Sequence, residues 1–189
     1  MTRSTDSSPA AARANGPATY DATSRRNHWI TAIAFIGLMS VGFFLANVEL
    51  PREQRAPIMM LHKSFGTLLF FWALWRVTYR LRQGFPPPAA AMPGWQLMLS
   101  KAVHWGLLAA VIIMPTSGLA GSMFGGRGIE LFGVVKIPAF MDSDAISDVA
   151  HEVHELAAFA LLGLLVLHIG AALKHHLVDR DGTLTRMLR

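Results

Sequence analysis

The sequence predicts an all-α membrane protein: a four-helix transmembrane bundle with both termini cytoplasmic. Three observations predict it. Hydrophobic residues make up 52 % of the 189-residue chain and charged ones only 15 %, and a soluble domain of this size needs more charge to cover its surface. The apolar residues gather in long blocks. The basic residues gather on alternate connections between those blocks.

The stretch 1–24, MTRSTDSSPAAARANGPATYDATS, is polar and rich in Pro, Ala and Ser, with no helix-period apolar stripe. It reads as a disordered N-terminal tail, leaving the four-helix domain over 25–189. It is not a signal peptide, because the first apolar block begins only at residue 29 and is long enough to span. That block reads as a retained first helix.

Ile30 to Val48 is a charge-free run of 19 residues, Ala102 to Met123 one of 22, and Leu156 to Leu173 one of 18. A bilayer core of roughly 30 Å needs about 20 such residues as helix. Ser64 to Trp75 is shorter, and spans when Ile58 to Leu61 and Val77 to Leu81 serve as its interfacial ends. FPPP (Phe85 to Pro88) and MPG (Met92 to Gly94) make the second-to-third connection extended. GGRG (Gly125 to Gly128) breaks the chain after the third helix, and 125–150 is expected to be a long outer loop. There is no internal repeat. With no cysteine, disulfides and thiolate metal sites are excluded.

Of the 17 Lys and Arg, 12 lie on the side of the two termini and the second-to-third connection. The positive-inside rule places that side in the cytoplasm. Set against 4 acidic residues there and 8 outside, the inner face is +8 and the outer face −3, together the chain's +5. Basic residues that flank apolar spans point to membrane lipids as partner, through anionic head groups, and not to nucleic acid.

Five of the eight histidines lie within HEVHELAAFALLGLLVLHIGAALKHH, from His151 to His176. His154 and His168 are 14 positions apart. At 100° per residue that is about 40° short of four turns, over roughly 21 Å of axis. They therefore share one helix face, one near each membrane surface. Ionisable groups inside a span are costly and mark function.

By depth, His28 pairs with His168 at the cytoplasmic end and His62 with His154 at the outer end. Two stacked imidazole pairs between helices suit two b-type haems, each needing axial nitrogens on both faces and an apolar slot. Gly42, Gly66 and Gly118 fall where a flat ring would approach a helix, although Gly also simply permits close helix packing. Arg76, 14 after His62, lies at the inner pair's depth and suits a haem propionate. It also suits an ordinary interfacial anchor. His104 competes for the inner positions, or hydrogen-bonds a propionate or a quinone. His151 is an alternative to His154, but sits about 100° away from His168 around the helix. His175 and His176 read as solvated or lipid-facing. The bland alternative is a set of interfacial histidines with no cofactor.

At RRNHW, MLHKSFG, HWGLLAAVIIMPTSGL, HEVHE, LHIGAALKHH and DRDGTLTRML the chain resembles the bacterial cytochrome b561 family of di-haem membrane proteins. The resemblance runs over about residues 25–189, and its specificity lies in the ordered set. It puts the axial iron ligands on His28, His62, His154 and His168. It implies electron transfer in the bacterial inner membrane with ubiquinone from the quinone pool as partner. Some members are similar to superoxide oxidases that reduce quinone. Others are cytochrome b subunits of hydrogenases and formate dehydrogenases.

The expected function is thus transmembrane one-electron transfer to or from ubiquinone, with superoxide as one candidate donor. The −3 outer face does not favour an anion, while Arg52, Arg55 and Lys63 form a local basic patch that offsets it. One alternative is an anchor subunit with a dehydrogenase partner, and a homodimer is compatible with either form. Another is a histidine-based zinc or copper transporter. The missing cysteine and the lack of Asp or Glu deep in the spans weigh against the transporter.

Overall fold

The computed structural model describes residues 20–188, so the expected tail up to position 19 lies outside the described residues. Four helices long and apolar enough to cross a membrane follow one another. They are α1 (Ala22–Asn47), α2 (Arg52–Gln83), α3 (Gly94–Phe124) and α4 (Asp144–Leu177), and a short α5 (Thr185–Leu188) follows α4. Between α3 and α4 stand two short strands, β1 (Ile129–Leu131) and β2 (Val135–Ile137), paired antiparallel.

Each boundary has a local cause. The Asp21 carboxylate caps α1, accepting from the Ser24 N–H at 2.9 Å and from its hydroxyl at 2.6 Å. Ala22 to Ser24, read from sequence as tail, therefore form the first helical turn. The Ser24 hydroxyl bond is the main reason the Asp21 carboxyl lies at about 2, well below its ordinary 3.8. α2 begins at Arg52, six residues before the apolar Ile58, and ends at Gly84, whose φ of 69° suits glycine. The proline-rich segment after it is not helical.

The expected loop 125–150 is a correction. Helix α4 already starts at Asp144, and the hairpin occupies much of the remainder. The charged residues Asp144 and Asp148 make this stretch look like a loop. Acidic side chains, however, favour a helix N-terminus, and Ser147 and Ala150 are buried against α3. The hairpin also qualifies the all-α class: it is the one strand pair among the described residues.

The helices run alternately up and down. Tyr79, late in α2, donates to Asp21 at the start of α1 (3.0 Å), and Trp29 Nε1 donates to the Met187 carbonyl (2.9 Å). Both described chain ends thus lie at one end of the bundle, the termini end, and the hairpin lies at the other. Phe35, Leu69, Ala110, Val111 and Leu161, drawn from all four helices, form the buried core. Large side chains such as Ile33, Phe71, Met98, Leu156 and Val166 face outward, which a lipid solvent permits.

Candidate cofactor site

The hairpin-end histidines come from two helices. His62 stands on α2 and His154 on α4, with ring centroids 6.4 Å apart and planes at 84°. At the termini end, His28 of α1 faces His168 of α4 at 6.0 Å and 57°. An imidazole nitrogen binds a metal at about 2.0–2.1 Å, so two rings sharing one ion from opposite sides have centroids about 6 Å apart. Both pairs fit that separation.

The His154 ring is aimed by α3. Its Nδ1 lies 2.9 Å from the Met114 carbonyl and 3.2 Å from the Ser117 hydroxyl. A carbonyl only accepts, so Nδ1 carries the hydrogen and Nε2 is left as the free donor atom for a metal. The His62 Nδ1 is buried with no partner. Gly42 lies against His62 and Gly118 against His154: an added Cβ would stand 3.3 Å and 3.0 Å from the respective Cε1 atoms. Between the two rings runs an apolar cleft lined by Phe35, Leu38, Met39, Gly66, Met114 and Leu161.

The termini-end pair has more polar company. His104 of α3 is 5.5 Å from His168, nearly edge-on at 76°, so three imidazoles meet there. The Ser100 hydroxyl is 3.4 Å from His104 Nδ1, and Phe85 from the α2–α3 connection lies 6.1 Å from the same ring. Trp29 stands edge-on to His28 at 5.3 Å. Arg76 donates through NH1 to the Asn27 carbonyl (3.4 Å). Its Nε is buried without a partner, and so is Asn27 Nδ2. Buried donors with no acceptor are costly, and these two offer hydrogen bonds to an anionic or carbonyl group.

The remaining histidines stand apart. His151 Nδ1 bonds the Ser147 carbonyl at 2.7 Å and its ring rests on Gly121, one turn from the His62–His154 pair. His175, which reads from sequence as solvated or lipid-facing, bonds Asp181 at 2.7 Å and is mostly buried. The same Asp181 caps Thr183 (2.8 Å), and Arg186 donates to the Pro87 carbonyl (2.7 Å). The C-terminal DGTLTRM segment is thereby tied across the termini end. Sequence reasoning missed Met114, Ser117 and Asn27. Ser117 and His154 are 37 positions apart, and no local pattern links them.

Facing imidazoles from neighbouring helices of a four-helix membrane bundle suit a membrane cytochrome b. The chain belongs to the prokaryotic cytochrome b561 family, whose model matches residues 19–189. It is 32 % identical to cytochrome b561 homolog 2 of Escherichia coli K12, covering 92 % of this chain and 93 % of the relative. Cytochrome b561 homolog 1 of the same organism is 26 % identical, covering 85 % and 92 %. A Yersinia pestis protein named "Probable superoxide oxidase CybB" is 27 % identical over 85 % of this chain and 90 % of its own. Membership makes this a multi-pass bacterial membrane protein of electron transfer, and implies haem b as its cofactor.

Proposed function

We propose that the chain holds two haem b groups, one per level, and transfers electrons across the bacterial inner membrane to or from ubiquinone. The observation that carries this reading is the pair of facing imidazoles at each end, at 6.4 and 6.0 Å. His62 and His154 would hold one haem at the hairpin end, and His28 and His168 the other at the termini end. The charge bias of the connections supports a cytoplasmic termini end.

Bound haem would supply one-electron transfer. The protein's residues do the rest. The Met114 carbonyl fixes the His154 tautomer, and the apolar cleft excludes water and supports low-dielectric electron exchange. Arg76 Nε, buried without a partner, would hold a haem propionate. His104, third at the termini end, would hydrogen-bond a propionate or the quinone.

Superoxide as the electron donor is a second reading. The name of the Yersinia pestis relative favours it. Half-buried Lys63, next to His62, also sets a positive charge beside the hairpin-end pair. A homodimer or a docked dehydrogenase is compatible with either donor.

The test is a reduced-minus-oxidised visible spectrum with haem counted per chain, followed by titration with ubiquinol. Low-spin b-type bands from two haems, reduced by ubiquinol, are expected. A colourless protein, or fewer than two haems per folded chain, overturns the di-haem reading. Failure of ubiquinol to reduce them overturns the quinone assignment.

A further inference from the structure

We propose that the β1–β2 hairpin is a lipid anchor, its apolar tip from Phe132 to Val135 inserted into the leaflet beside α2. The proposal rests on the membrane spans and not on the haem assignment.

The tip is built for hydrocarbon. Phe132, Val134 and Val135 are 40 %, 83 % and 52 % exposed in the isolated chain. Phe132 and Gly133 form the turn, closed by the Val134 N–H on the Leu131 carbonyl at 3.0 Å. Their φ values are 52° and 74°. Turns with two positive φ values take Asn, Asp or Gly, and a bulky residue there is an outlier. A phenyl ring at that position gains nothing from water. Surrounded by acyl chains, it gains burial energy that offsets its backbone strain. The charged residues of the hairpin, Glu130 and Lys136, pair across the stem and not at the tip.

The depth is set by α2. The Phe132 N–H donates to the buried Ser64 hydroxyl oxygen at 2.9 Å, and its ring stands edge-on to Phe65 at 5.2 Å. Ser64 opens the charge-free apolar stretch of α2, two residues further into the span than His62. Leu61, Phe65 and Leu68 repeat at helical spacing and are all exposed. They lie away from His62, Gly66 and Leu69, which line the interior cleft. That stripe is the lipid-facing side of a membrane-crossing helix. Phe132 continues it sideways. The Phe132 and Val134 N–H groups already have acceptors, so inserting the turn strands neither of them.

The chain has no cysteine, so Val134→Cys labelled with bimane reports one site. The full-length protein is placed in phosphatidylcholine nanodiscs at one chain per disc. Quenching is read with iodide in water and with lipid doxylated near the head-group end of its acyl chain. Lys136→Cys on the stem is the reference. The anchor predicts several-fold stronger lipid quenching and several-fold weaker iodide quenching at position 134 than at 136. Equal iodide quenching at both sites overturns it. Protection found only in discs holding two chains also overturns it, in favour of a contact between copies. Val135→Cys carries the same test should the first variant fail to fold, folding being read from an unchanged far-UV circular dichroism spectrum.

Discussion

Gly118→Ala tests whether α3 holds the His154 ring from one side. The added Cβ would stand 3.0 Å from Cε1 and 3.2 Å from Nδ1 of His154. Carbon atoms prefer about 3.5–4.0 Å, so the ring must retreat by about 0.5 Å. It is tethered while doing so. Nδ1 is bonded to the Met114 carbonyl at 2.9 Å, on the same helix as position 118. Retreat stretches that bond to about 3.4 Å, beyond the usual N–H···O range. Losing it costs about 1 kcal/mol, and overpacking adds about 1–3 kcal/mol. Alanine returns about 1 kcal/mol of helix propensity over glycine. A net cost of about 1–3 kcal/mol remains, and about 1.4 kcal/mol is tenfold in affinity. Haem at the hairpin end should therefore bind roughly 5- to 150-fold more weakly, while the termini-end site is unaffected. Gly37→Ala is the control, since an added Cβ there meets nothing within 4 Å. The assay is haem per chain together with the rate of haem transfer to an apo-globin acceptor. If Gly118→Ala loses haem no faster than Gly37→Ala, the reasoning about the tethered ring is refuted.

Three further outcomes are expected. His62→Ala and His154→Ala should each lose one haem and spare the other, counted by pyridine haemochrome; two haems retained in either variant would break the pairing. Ser64→Ala leaves the Phe132 N–H without its acceptor, a loss of about 1–3 kcal/mol, and should speed amide exchange at Phe132; unchanged protection contradicts the hairpin's docking on α2. Asp21→Ala removes the α1 cap, at about 1 kcal/mol. The Asp21 carboxyl is depressed to about 2, so its contribution is present above 3.8 and fades as pH falls toward 2. The melting temperatures of wild type and Asp21→Ala should therefore converge over that window, and a constant gap rules the cap effect out.

The helix ends show where reading by hydropathy stops. Apolar runs and the helix-breaking GGRG mark the part of a helix that is legible in sequence, so Ile58 and His151 looked like boundaries. The backbone does not need apolar side chains to stay helical. With acidic residues in their first turns, Glu53 and Asp144, α2 begins at Arg52 and α4 at Asp144. The β1–β2 hairpin was hidden in the same way, since two three-residue strands are too short to show a period.

What the sequence determined alone is what repeats locally. Four apolar blocks make four spans because the bilayer's thickness sets a run length. Fourteen positions between His154 and His168 put them on one face because 3.6 residues make a turn. Tertiary structure decided everything that joins one helix to another. It set Met114 and Ser117 behind His154, placed His104 beside His168, and left Arg76 Nε and Asn27 Nδ2 buried without partners. These contacts join residues dozens of positions apart. Only the packing of helix against helix, which no short stretch of chain encodes, brings them within reach.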